Sequence, residues 1–250
     1  MIRYRADWLF PIADDPLHDG WVAIEEGRIA GTGSGPAADA IDLGRAVVLP
    51  ALVNAHTHLE LSYLHGRIPP SPRFGDWVRA VMTTRQQYPD PADPRIMEPA
   101  RRAIADAHAA GTGLLGDVSN TLVTVPLLRT AAMPAQVFHA VAGFTEQDPL
   151  SRVRDARARV DALAGDDSIR ISLAPHAPYS VSAALFQAIR TDLDAHPGAV
   201  SSVHLGEPAE EVELLRHGTG DIREVLAELG RWPADWRPPA LTQATSGRRH

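Results

Sequence analysis

From residue 51 onward the chain alternates apolar runs with amphipathic stretches, and this alternation restricts the fold more than any other feature. The runs are ALVNAHTH (51–58), GTGLLGDVS (111–119), PAQVFHAVAG (134–143), SIRISLAPHAPY (168–179) and AVSSVHLGE (199–207). EPARRAIADAHAA, SRVRDARARVDALAG and SAALFQAIRTDLDAH lie between them and carry helical periodicity. After the fifth run, DIREVLAELG places Asp221 and Glu224 in capping-box register and ends on Gly230 as a terminator. Strands alternating with helices make an α/β fold with a parallel sheet or barrel. Five such units occupy about 180 residues, whereas a closed eight-stranded barrel takes about 250. Residues 51–238 therefore read as an incomplete TIM (β/α)8 barrel, and residues 239–250 as an atypical tail where a sixth strand is due.

The first 50 residues follow a different pattern. WVAIEEGRIAGTGSG holds two short apolar runs around Glu26-Gly27, a hairpin signal, and Gly44 marks a further turn. We expect a small β-sandwich module here, too small to fold alone.

Two absences bound the chemistry. Cysteine does not occur, which removes disulfides, thiolate ligands and cysteine nucleophiles together. All 24 basic residues are arginine. Without lysine there is no Schiff base, no Walker-type phosphate loop and no carbamylated lysine bridging two metals, so a single-metal site is the simpler expectation. The net charge of −7, with no basic block longer than a dipeptide, argues against nucleic acid and for small-molecule partners. The N-terminal apolar stretch is too short for a secretory signal and no run approaches a membrane span, so the expected setting is cytoplasmic, with no membrane partner.

The candidate chemistry lies at the ends of the runs. His-x-His alone means little, because a random shuffle of this composition yields about 0.5 such pairs. The setting says more: VNAHTHLELS (53–62) closes an apolar run and reads as a buried strand entering a functional loop. In a strand His56 and His58 share a face, with Cβ atoms roughly 6.5–7 Å apart, and can grip one divalent ion. His176 and His204 close the fourth and fifth runs at what would be the same mouth of a barrel. Glu207, three residues after His204, can reach a water held there without ligating the metal. Each also has a plainer reading: His176 as a core histidine between prolines, Glu207 as a helix-start acid before PAEEVELL. Glu60 and Trp77 are candidate pocket-lining residues, Trp77 equally plain packing. His65, His108, His139, His196, His217 and His250 are assigned to structure or surface, and Glu210, Glu211 and Glu213 to a solvated helix face.

Three segments carry a family resemblance. LPALVNAHTHLELS, LAPHAPYS and SVHLGEPAEEVELL resemble the first-, fourth- and fifth-strand motifs of the amidohydrolase superfamily, in its cytosine-deaminase-like branch of metal-dependent deaminases and chlorohydrolases. HTHLELS followed by FGDWV is most similar to the aminofutalosine and adenosylhomocysteine deaminase group, and the likeness spans residues 1 to about 238. It implies that His56, His58 and His204 bind one Zn²⁺ or Fe²⁺, and that Glu207 carries a proton from the attacking water to the departing amine. It also implies that His176 contacts a purine-like or other nitrogen heterocycle. A chlorohydrolase or imidazolone-type ring hydrolase uses the same centre on a different electrophile. The family's sixth-strand histidine and eighth-strand aspartate have no counterpart here, which implies little or no deaminase activity from these 250 residues alone. A different class of reading is a non-catalytic fragment that needs a partner chain, its open barrel edges favouring homo-oligomers or aggregation.

Overall fold

A left-handed pair of residues opens the architecture: Glu26 (φ 50°) and Gly27 (φ 74°) form the two-residue turn that right-twisted hairpin strands favour. The computed structural model describes residues 1–163 and 167–238; the tail at 239–250, with His250, lies outside the described residues. The chain divides into two compact units, the first Met1–Leu52 and the second beginning at Val53.

The first unit contains β1 (Ile2–Leu9), β2 (Leu17–Glu25), β3 (Arg28–Ser34), β4 (Ile41–Asp42) and β5 (Val47–Val48). They form a single sheet in the order β3-β2-β1-β4, with β5 also pairing with β1. Among the described residues the module consists of this one sheet. The unit's own core is small: Ala6, Leu9, Val22 and Ala23 are its buried apolar residues.

The second unit builds the strand–helix repeat. Its sheet runs β6 (Leu52–Thr57), β7 (Thr112–Ser119), β8 (Ala135–Val141) and β9 (Ile169–Pro175) in that order, with β7–β8 and β8–β9 parallel. The helices are α1 (Phe74–Gln86), α2 (Pro94–Ala109), α3 (Val125–Thr130), α4 (Pro149–Leu163), α5 (Ala183–Asp194), α6 (Ala209–His217) and α7 (Asp221–Glu228). A 3-10 helix, Leu59–Leu64, follows β6.

Local chemistry explains the helix starts. Asp93 caps α2 by accepting from Arg95 N at 2.8 Å, with Pro94 pre-set at the first helical position. Ser182 caps α5 by accepting from Leu185 N at 3.2 Å. Both helices then bury one stripe, Ile96, Ala100 and Ile104 in α2, Leu185, Ala188 and Ile189 in α5. Alternation along β8 sends Val137 and Val141 toward the helices, where they join Leu115, Leu128, Leu173 and Leu185 in the main core. Phe138 and Ala140 face the other way and meet Val118 and Ala174. That inner face is poorly covered among the described residues, since Val53 is 62% and Val200 54% exposed.

Two expectations need correction. The fifth apolar run is not a strand: residues 199–205 lie beside β9 without a ladder. It is tied by Ser172 Oγ donating to Val200 O, Ser201 Oγ donating to Leu173 O, and His204 N donating to His176 O. Among the described residues it has no strand on its far side to enforce a regular register. Asp221 is also not a cap; Gly220 holds that position. The Asp221 carboxylate instead crosses to α1, accepting from Gly75 N at 2.7 Å and Arg73 Nη2 at 2.6 Å. Gly75 is required there, because a Cβ would lie 2.5 Å from that carboxylate.

Candidate metal centre

His56 lies near the end of β6 and His58 just beyond it, on the same side of the chain. The turn that carries His58 is held by β7. Thr57 Oγ1 donates to Gly116 O at 3.1 Å, and Leu59 N donates to the buried Asp117 carboxylate at 2.9 Å. Thr124 Oγ1 donates to the other Asp117 oxygen at 2.6 Å. Gly116 lets the two backbones meet, since a Cβ would collide with Ala55 O. Burial pushes the Asp117 carboxyl up to about 6, the hydrogen bonds only partly opposing it.

His204 arrives from the fifth run. Its backbone N and its Nδ1 both lie 3.0 Å from His176 O. A carbonyl only accepts, so Nδ1 carries the proton and Nε2 is left with its lone pair. That Nε2 lies 3.1 Å from His58 Nε2. His56, His58 and His204 each offer one ring nitrogen, all within 4.8 Å of one another. Two nitrogens bound about 2.0–2.1 Å from one tetrahedral ion lie about 3.4 Å apart, so small side-chain adjustments suffice for three-point ligation. The donor set suits a borderline divalent cation. Burial, then the neighbouring His204 and His56, lowers the His58 pKa to about 4, which keeps it neutral and able to ligate at neutral pH.

His176 follows β9 with its ring 5.1 Å from that of His204. Its Nδ1 lies 2.7 Å from Ser180 Oγ, and burial followed by His204 lowers its pKa to about 4. It borders a cavity of about 230 Å³ lined by Phe74, Val78, Met82, Ile222 and Leu226, with Asn120 and Arg231 as polar points. Glu207 is exposed at the mouth and accepts from Tyr179 Oη at 2.6 Å. Burial, then this bond to Glu207, raises the Tyr179 pKa, so the phenol remains the donor.

Other candidates separate from this group. The Glu60 carboxylate, 4% exposed, is committed to the loop after β7. It accepts from Ser119 Oγ (2.8 Å), Asn120 N (3.0 Å), Thr121 N (3.0 Å) and Thr121 Oγ1 (2.6 Å), with Arg85 at 3.6 Å. It borders a separate cavity of about 560 Å³ with Arg85 and Tyr88. Trp77 is 38% exposed and stacked on Phe74 at 5.6 Å, a packing position. His139 is buried in β8 with Nδ1 3.2 Å from Ser119 O. Glu210 accepts from Phe74 N at 3.4 Å. Glu211 is fully buried, which corrects its assignment to a solvated face. Its two oxygens accept from Gly206 N at 3.1 Å and Glu207 N at 3.0 Å. Asp117 and Tyr179, which contact the segments carrying these side chains, were not singled out in the sequence reading, and Glu211 was placed on the surface. Asp117 carried a signal, as the single charge in a strand-like run, and so did Tyr179, three residues after His176.

Three histidines that could hold one metal ion thus gather beside the end of a parallel strand–helix sheet. The chain belongs to the amidohydrolase family, whose model matches residues 47–230. It is similar to the 5-methylthioadenosine/S-adenosylhomocysteine deaminase of Syntrophobacter fumaroxidans, 30% identical over 84% of this chain and 50% of that protein. It is also similar to an adenosine deaminase of Helicobacter pylori, 28% identical over 70% of this chain and 41% of that one. Among solved structures, Helicobacter pylori aminofutalosine deaminase in complex with methylthio-coformycin superposes with a TM-score of 0.79. There the identity is 24%, with 90% of this chain and 56% of that one covered. The zinc-bound adenosine deaminase of Xanthomonas campestris gives 0.68 at 22% identity, with 92% and 55% covered. The chain spans about half the length of the curated relatives it matches. No helix among the described residues is long and apolar enough to cross a membrane.

Proposed function

We propose that the protein acts in the hydrolytic deamination of a purine-like heterocycle, with His56, His58 and His204 holding one zinc, or alternatively one ferrous, ion. The observation that carries this reading is the convergence of three imidazole nitrogens within 4.8 Å, from two segments 146 residues apart. A bound divalent cation would supply Lewis acidity, lowering the pKa of a coordinated water toward ~7. Glu207, held by Tyr179, takes a proton from the attacking water and returns it to the leaving nitrogen. Water adds at the amino-bearing carbon, the carbon–nitrogen bond breaks, ammonia departs and a carbonyl remains. His176 orients the ring, and the apolar cavity beside it receives an uncharged substituent. The curated relatives are named as deaminases of adenosine-type compounds, which supports deamination over dechlorination.

Zinc-loaded protein is tested by calorimetry and ammonia release against adenosine, 5′-methylthioadenosine, S-adenosylhomocysteine, 5′-deoxyadenosine and a chlorinated triazine. The proposal expects an aminopurine nucleoside to bind, with slow turnover at most from these 250 residues. The absence of both binding and ammonia release with every nucleoside tested would refute it.

A further inference from the structure

The segment that carries His204 and Glu207 has no ladder to hold it, yet it supplies two of the site's key groups. The next regular element along the chain is α6, whose third residue is Glu211. A glutamate at that position ordinarily reaches back to the amide of the capping residue. Here the capping residue is Pro208, which has no N–H. The carboxylate therefore extends to the two preceding amides, Gly206 N at 3.1 Å and Glu207 N at 3.0 Å. Gly206 sits in the left-handed region (φ 69°), and this turns the two successive N–H groups onto one anion. Glu211 is fully buried and Leu214, one turn on, is fully buried too, so the acceptor is anchored by packed helix rather than by a mobile surface side chain.

We infer that Glu211 is a positioning residue: by clamping the 206–207 amides to α6 it sets the placement of the metal ligand His204 and of the Glu207 carboxylate. The inference rests on the metal-centre reading above. Outer partners that orient ligands typically contribute about 10- to 100-fold to metal affinity.

The test is a cobalt(II) titration of the 250-residue chain, followed by visible absorption, in wild type, Glu211→Gln and Glu213→Gln. Glu213 belongs to the same helix and only accepts from Thr219 Oγ1 at 3.0 Å. Glu211→Gln should weaken cobalt binding by about 10-fold or more and shift the absorption band, with far-UV circular dichroism unchanged. Glu213→Gln should stay within about twofold of wild type. Equal affinity and an equal band in Glu211→Gln overturn the inference alone; no cobalt binding in wild type overturns the metal-centre reading and the inference with it. Hydrogen exchange of the wild type is independent of how the variant folds. The Gly206 and Glu207 amides should be protected although they lie in a loop, and free exchange there contradicts the clamp.

Discussion

Replacing Asp117 with asparagine should make the protein's stability less sensitive to pH, by an amount that follows from its burial. Asp117 is 0% exposed, and burial raises its pKa from 3.8 to about 6 despite hydrogen bonds from Thr124 and Leu59. A carboxyl with a raised folded-state pKa destabilises the fold when ionised, so its cost is absent below the unfolded pKa and complete above the folded one. The full cost is about 3 kcal/mol, from a shift of about two units at 1.36 kcal/mol each. Between pH 7.5 and pH 5.0 the wild type should recover about 1.4 kcal/mol of it. The substituted amide stays neutral, keeps an acceptor for Leu59 N, and lets the Thr124 hydroxyl rotate to accept. Urea unfolding followed by circular dichroism at both pH values gives the difference between Asp117→Asn and wild type, with other titrating groups cancelling. The variant's relative stability should be about 1.4 kcal/mol greater at pH 7.5 than at pH 5.0. An identical difference at both pH values would show that Asp117 is not held above its ordinary range.

Three further outcomes follow from the geometry. Tyr179→Phe removes the donor to an exposed acceptor that water can replace, so stability should fall by only about 1 kcal/mol in the same unfolding assay; no change would mean the bond is not formed in solution. Leu185→Ala opens a cavity at a fully buried core position and should cost about 2–5 kcal/mol, read as a drop in the urea midpoint at constant slope. The exposed inner-face residues Val53, Leu114 and Val200 should drive self-association, and light scattering should show concentration-dependent mass; a monodisperse monomer across the concentration range would contradict this.

Features that depend on local pattern were legible in the sequence. The Glu26-Gly27 hairpin, β7, β8 and β9, and helices α2, α4 and α5 lie where apolar periodicity and turn residues place them. His56, His58 and His204 could be singled out because each closes an apolar run; β6 and the residue just after it carry the first two, and backbone bonding of His204 to His176 O brings in the third without a strand. What depends on partners far along the chain was not legible. Glu60 stands two residues from His58, yet its fate is decided by amides and hydroxyls about 60 residues on. Asp221 has a capping residue's identity and spacing, but Gly220 takes the cap and Arg73 with Gly75 takes the carboxylate. Glu211 looked like one acid among three on a helix face; only the missing N–H of Pro208 hints that it must reach further back. The fifth run has a strand's composition, but a ladder also requires a neighbour that holds register.

The most direct test of the metal centre is a zinc count. The protein is stripped with chelator, reconstituted with excess zinc, dialysed, and measured by atomic emission beside a His58→Ala/His204→Ala variant of the same chain. The account predicts one zinc per wild-type chain and almost none in the double variant, whose only remaining ligand of the three is His56. A wild-type chain that retains no zinc, or a double variant that retains a full equivalent, would contradict it.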